Sequence, residues 1–245
     1  MRRRTLGAAA AAIALLTGAG AAAGPAGATS RQDGRCIAAA RAAGVRLSPS
    51  RFTFVGGTSG NDGGLGAADT RIDVTDHEVF CGFAGNDVVA ANRGTVIGGA
   101  GDDSFESNTG VFYGGAGNDG TGFHGTNAGL FFGGDGSDNA YTNNGRFYGG
   151  HGTDTVVVNH GFFSGGPGDD RVENNADTAT FDGGTGNDSV YANSGLVLGG
   201  AGNDDVFINA GHFDGGPGYD VITTNLPGAT CTGVEVVLNG PPCTG

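Results

Sequence analysis

Aspartate recurs at one place in a tandem motif. Asp87, Asp103, Asp119, Asp138, Asp154, Asp170, Asp188, Asp204 and Asp220 each close a hexapeptide of the form G-G-x-G-x-D, with Phe83 replacing the second glycine in the first copy. If the copies stack, nine carboxylates fall in one line. Neighbours ~5 Å apart would repel by about 0.8 kcal/mol in bulk water and by about 3 kcal/mol at the effective dielectric near a protein surface. Arginine cannot neutralise the line, because only Arg93, Arg146 and Arg171 lie within the repeats. A cation bound between successive turns is the expected remedy. The glycines let each turn bend sharply and aim carbonyl oxygens into the gap, and Asp adds charged ones. A flexible oxygen cage favours Ca²⁺ over Mg²⁺, which holds its waters and demands tight octahedral geometry. No column of Cys or His offers the softer ligands that other metals prefer. Nine hexapeptides leave eight gaps, hence at most eight sites in the column. The competing reading is a metal-free structural solenoid in which Asp only shapes its turn.

The elements that must position these carboxylates are legible in the period. The hexapeptides begin at Gly82, Gly98, Gly114, Gly133, Gly149, Gly165, Gly183, Gly199 and Gly215, in steps of 16, 16, 19, 16, 16, 18, 16 and 16 residues. The longer steps carry insertions at 120–126 and 176–180. With the first glycine as position 1, Asp occupies position 6. Position 11 is Asn in every coil: Asn92, Asn108, Asn127, Asn143, Asn159, Asn175, Asn193, Asn209 and Asn225. Position 8 is mostly β-branched, and position 15 is Val or Phe. One inward apolar residue per short strand suits the two-residue period of β structure. The predicted fold is all-β: a parallel β-roll or β-solenoid of about nine 16-residue coils with a small N-terminal cap. Strands are expected around positions 7–9 and 14–16. The hexapeptide turns one edge, and an N-x-G segment turns the other through residues that tolerate positive φ. Coils ~4.8 Å apart make a rod roughly 43 Å long, and the Asn column should form an amide ladder.

Tandem G-G-x-G-x-D-x-V-x resembles the nonapeptide of the repeats-in-toxin (haemolysin-type) calcium-binding family. Gly199-Gly200-Ala201-Gly202-Asn203-Asp204-Asp205-Val206-Phe207 matches it at every fixed position. The resemblance covers residues 82–223 and implies a parallel β-roll with Ca²⁺ held between turns by Asp side chains and backbone carbonyls. The family usually has two such nonapeptides per 18-residue coil. Here a seven-residue half carrying Asn replaces one of them, so calcium is expected at one edge only. Phe83 departs from the motif in the first turn. Toxin activity does not carry over, nor does any enzyme attached to such repeats.

The ends read differently. Residues 1–28 have a basic start, an Ala-rich apolar run and an A-x-A site at Ala26–Ala28, as in a secretory signal peptide. The chain is therefore expected to be secreted and extracellular, with residues 29–81 as an N-terminal cap, 82–230 as the repeat and 231–245 as a C-terminal cap. The cap should hold a short helix over 33–44 and strands over 51–55 and 72–80. Residues 56–62 read as a degenerate hexapeptide with one extra residue, and 234–238 as a final strand. Four cysteines in an oxidising compartment suggest two disulfides. Cys81 and Cys231 bracket the rod and should be ~40 Å apart, whereas a disulfide needs Cα atoms within roughly 7 Å. A straight rod leaves Cys36–Cys81 and Cys231–Cys243.

Composition excludes several functions. The chain of 245 residues has 53 Gly and a formal charge of −13, and none of its 12 basic residues is Lys. Excess acid argues against nucleic acid and anionic membranes, and no second stretch is apolar enough to span a bilayer. His77, His124, His151, His160 and His212 occupy unrelated coil positions, and no H-E-x-x-H or G-x-S-x-G occurs. No catalytic residue is identified. An ice- or surface-binding solenoid would need a flat outward column of Thr or Thr/Asn, but the outward positions are mixed. A polysaccharide-active β-helix enzyme would need a basic residue in a groove. The expectation is a non-enzymatic calcium-binding β-roll with a structural, adhesive or interaction role. Outward positions 14 and 16 form an apolar stripe in the early coils: Ile97, Val111, Tyr113, Leu130, Phe132 and Tyr148. Either residues 46–80 fold back over it, or Tyr113, Phe132 and Tyr148 offer a contact to a protein, a glycan or a second copy.

Overall fold

A computed structural model describes residues 31–42, 44, 52–62 and 72–243. The leader assigned to 1–28 lies outside them. The repeat folds as expected into a stack of parallel strands in two sheets, each with eleven strands among the described residues. One sheet collects the strands around position 15, from Thr53–Gly56 through Phe162–Pro167 to Thr230–Thr232. The other collects those around position 8, from Ile72–Val74 through Thr155–Asn159 to Val236–Asn239.

The register is one coil per rung. Val156 pairs with Val172, and Asn159 with Asn175; Phe147 pairs with Phe163. The strands are longer than predicted because backbone pairing, not side-chain burial, sets their limits. Thr155–Asn159 runs on to the Asn of position 11, and Phe162–Pro167 runs into the hexapeptide. The first insertion is absorbed within the strand Gly120–Asn127 as a register shift on both sides, with His124 at φ 68°.

The core is a single file of side chains between the sheets. Phe131, Phe147, Phe163 and Phe181 stack with ring centroids 4.4, 4.8 and 5.0 Å apart. Val156, Val172, Val190, Val206 and Ile222 face them from the second sheet, all buried. That spacing is the strand repeat, so each of these coils buries one more ring on the one before.

The caps hold the ends. A helix, Arg31–Ala42, starts two residues before its predicted beginning and is tied to the first sheet by the Cys36–Cys81 disulfide. Cys231–Cys243 ties the last strands. Both pairings are the ones expected. Strands form at Thr53–Gly56, and at Ile72–Val74 and Glu78–Cys81 in place of one continuous strand. The final strand is Val236–Asn239. Both sheets therefore begin within the segment read as the cap.

Candidate metal centre: a column of buried carboxylates

Each Asp at position 6 sits inside its turn. A side-chain methyl at position 1 would fill the same space: at Gly98 it would strike Asp103 Oδ2 and come within 2.8 Å of the Gly114 carbonyl. Position 1 is glycine because the aspartate occupies the volume its side chain would need. Positions 2 and 4 are glycine for backbone reasons. Gly150 and Gly152 adopt φ of 118° and 127°, and a Cβ on either would meet the glycine carbonyl of the preceding coil.

The two carboxylate oxygens have different fates. Oδ1 accepts the backbone N–H of the Asp one coil earlier: Asp87 N to Asp103 at 2.8 Å, Asp138 N to Asp154 at 2.8 Å, and so on to Asp204 N to Asp220 at 2.8 Å. Oδ2 is buried and has no hydrogen-bond partner in any of the nine aspartates. All nine residues are 3 % exposed or less. Burial pushes Asp103, Asp119, Asp138, Asp154, Asp170 and Asp188 up to about 7, and Asp87 and Asp204 up to about 6. The N–H donated to Oδ1 opposes that rise, and neighbouring carboxylates add to it. Asp220 is raised as well, by burial first.

A buried oxygen without a partner costs several kcal/mol when it carries charge. Nine in register make a column of oxygens that a cation could share. The donor set is all oxygen. No three His, Cys, Asp or Glu side chains converge among the described residues, so a cation here would take main-chain carbonyls beside the carboxylates. The Gly114 carbonyl beside Asp103 Oδ2, and the Gly149 carbonyl beside Asp138 Oδ2, are placed for that. Hard oxygen donors of this kind suit Ca²⁺. Phe83 does not disturb the first turn. It takes φ 76°, the hand that glycine takes elsewhere, with Arg35 4.5 Å above its ring, and Asp87 Oδ2 is buried and unpartnered like the rest.

The column extends past the nine predicted aspartates. Asp62 N donates to Asp87 Oδ1 at 2.8 Å, and Asp220 N donates to Glu235 Oε2 at 2.7 Å. The degenerate hexapeptide has no extra residue. Gly57 N donates to the Cys81 carbonyl as position 1 does in other coils, so Gly57-Thr58-Ser59-Gly60-Asn61-Asp62 is in register and only its glycine pattern is eroded. Asp62 was available to sequence reasoning had the frame started at Gly57. Glu235 carried no motif to reveal it.

Position 5, the variable residue before Asp in the motif, forms a second ladder of opposite sense. Asn86 Oδ1 accepts Asp102 N at 3.0 Å, Asp102 Oδ1 accepts Asn118 N at 2.8 Å, and Asn187 Oδ1 accepts Asn203 N at 2.9 Å. Ser137 and Thr153 interrupt it.

At the opposite edge the Asn ladder forms as expected. Asn92 Nδ2 donates to Asn108 Oδ1 at 2.8 Å, and the chain of amides continues to Asn209 Nδ2 and Asn225 Oδ1 at 2.9 Å. The second Nδ2 hydrogen goes to a carbonyl of the next coil, as from Asn143 to Phe162 at 3.0 Å. The expected positive φ is absent there. Gly161 has none, and it is required because a Cβ would strike the Gly145 carbonyl below.

The outward stripe is partly covered. Ile97 is buried with Cys36 and Ala40 of the helix, with Phe52, Phe54 and Tyr113 packed at the rim. Phe52 and Phe54 belong to the segment expected to fold back, but the helix shares the task and the cover ends at Tyr113. Phe132 lies parallel to Tyr113 at 4.9 Å and to Tyr148 at 5.1 Å. A second stacked pair, Tyr191 and Phe207 at 5.1 Å, stands on the other sheet with about half of each side chain exposed. No helix among the described residues is long and apolar enough to cross a membrane.

No protein-family model and no curated protein matches the chain. Among solved structures it is similar to a hyperactive, Ca²⁺-dependent, beta-helical antifreeze protein from an Antarctic bacterium, at 18 % identity over 79 % of this chain and 80 % of that one, with a TM-score of 0.47.

Proposed function

We propose that the chain is an extracellular calcium-binding β-solenoid whose role is structural, adhesive or interactive, with Ca²⁺ held between stacked turns by Asp87, Asp103, Asp119, Asp138, Asp154, Asp170, Asp188, Asp204 and Asp220. One observation carries this reading: the same carboxylate oxygen is buried and without a hydrogen-bond partner in all nine coils. A bound Ca²⁺ supplies positive charge where each turn lacks it. The chain's own residues do the rest. Glycine at position 1 makes room for the carboxylate, the preceding coil's N–H fixes its orientation through Oδ1, and the adjacent glycine carbonyl is presented to Oδ2. The likeness to the repeats-in-toxin nonapeptide supports the choice of metal, and two disulfides suit an oxidising, extracellular compartment. A rigid rod carrying the Tyr113–Phe132–Tyr148 stack on one face suits contact with a partner or a second copy.

The test is a calcium titration of the chelated protein followed by circular dichroism. The β spectrum and melting temperature should rise together with calcium. A spectrum and melting temperature that ignore both chelator and calcium would sink the reading.

A further inference from the structure

The repeating unit of the column is a gap, and each gap has three oxygens. Between the coils of Asp103 and Asp119 they are Asp103 Oδ2, the Gly114 carbonyl and Asp119 Oδ1, which also orients on Asp103 N at 2.7 Å. Counted by hexapeptides, the ninth coil has no successor and Asp220 should face solvent. It does not. Asp220 is fully buried and its Oδ2 lacks a partner, as in the coils before it.

The residues above Asp220 rebuild the gap from a different sequence. Gly215 N donates to the Thr232 carbonyl at 2.9 Å, which makes Gly233 the position-1 residue of a tenth turn. A Cβ on Gly215 would strike both the Gly233 carbonyl and Asp220 Oδ2, just as one on Gly199 would meet the Gly215 carbonyl at 2.6 Å and Asp204 Oδ2. Val221 and Ile222 then pair with Val236 and Val237, so residue 235 holds position 6. The tenth turn passes from position 1 to position 6 in two steps along the chain instead of five. The residue at its end is Glu rather than Asp. The extra methylene lets a carboxylate on this shortened turn accept Asp220 N at 2.7 Å.

We propose that Glu235 closes the carboxylate column and, with Asp220 and the Gly233 carbonyl, makes a ninth calcium site beyond the eight that the repeat itself encloses. This rests on the calcium reading above. The other end is closed without a cation: Asp62 Oδ2 accepts Thr58 N at 2.6 Å, so that rung has no orphaned oxygen. The ninth site is also the most open. Glu235 is exposed, and the shortened turn has one residue between positions 1 and 6 where the other turns have four. It should fill last and empty first.

Native mass spectrometry of the full folded chain at saturating calcium tests this. Nine ions are expected in the wild type and eight in Glu235→Gln, which can still accept Asp220 N but has lost the charge. Glu235→Asp, too short for the shortened turn, should also show eight. A wild type that binds calcium in the same number as Glu235→Gln overturns the proposal while leaving the calcium reading intact. A wild type that binds none overturns the calcium reading itself. If neither variant shows the wild-type β spectrum, the wild-type count decides, and eight or fewer ions count against the ninth site.

Discussion

Asp154 N–H donates to Asp170 Oδ1 at 2.7 Å, while Oδ2 of the same Asp170 carboxylate is buried and has no partner. One oxygen thus orders the stack, and the other is the one assigned to calcium in the proposed function. Loss of a rung should therefore act on two gaps at once, and its cost should depend on where the rung lies.

Asp154→Ala removes a ligand from the gaps on either side and leaves the buried N–H of Asp138 without its acceptor. If each site had a Kd of ~10⁻⁴ M in ~10⁻³ M calcium, two lost sites would cost about 3 kcal/mol. Asp220→Ala also borders two gaps and strands the N–H of Asp204, but the outer gap is the open, last-filled one and only the end of the rod frays. Thermal melts in calcium should show the larger loss for Asp154→Ala; equal losses would contradict a stack that propagates coil by coil.

The pH dependence of the metal-free chain should run opposite to ordinary acid denaturation. An unfolded Asp titrates near 3.9, whereas burial raises Asp103 through Asp188 to about 7. Groups with raised folded values favour the fold below the unfolded pKa and lose that contribution as pH rises through about 6 to 7. In chelator, the melting temperature should be higher at pH 5 than at pH 8. In calcium the difference should shrink or invert, because protons and Ca²⁺ compete for Oδ2. An equal or higher melting temperature at pH 8 in chelator would show that the carboxylates are not strained by burial.

The Asn ladder is expected to be intolerant in the middle and tolerant at its start. Asn159→Ala strands one Nδ2 hydrogen of Asn143, Asn175 Oδ1 and the Thr180 carbonyl, at about 1–3 kcal/mol for each unsatisfied group. Asn92 heads the ladder and its own Oδ1 already lacks a partner, so Asn92→Ala strands the Asn108 amide oxygen and the Val111 carbonyl but no amide of a preceding coil. Denaturant titration should rank the two accordingly. Similar costs for both would mean that the amides do not act as a chain.

Gly161→Ala separates two explanations of the second turn. Its φ is one that alanine can adopt, so a purely conformational account allows the change. The structure forbids it, because the new Cβ would strike the Gly145 carbonyl. We expect a loss of several degrees in melting temperature; an unchanged value would mean that the coils can separate locally at no cost.

Tyr113→Ser should loosen the helix that packs on Ile97 and Tyr113, exposing it to limited proteolysis, while Phe132→Ser, one rung further on, should not. Equal protection in both variants would show that the cap does not depend on the rim of the stripe.

The sequence determined whatever repeats. Identity at positions 6, 11 and 15 fixes the register, since a slip of one residue would turn Asp154, Asn159 and Phe163 to the wrong face. The two sheets, the Phe file, the amide ladder and both disulfides follow from that period. The tertiary structure decided what lies off the period. Asp62 and Glu235 join the carboxylate column through one eroded turn and one shortened turn, where equivalence is set by backbone pairing and not by residue type. The cover over Ile97 depends on a helix reaching across from before the repeat. Glycine at position 13 answers to a carbonyl sixteen residues away, one coil below, and not to its own φ. In a solenoid the nearest neighbour of a residue is the next coil, so a column can be read from spacing, but the partner of each atom in it depends on how the coils stack.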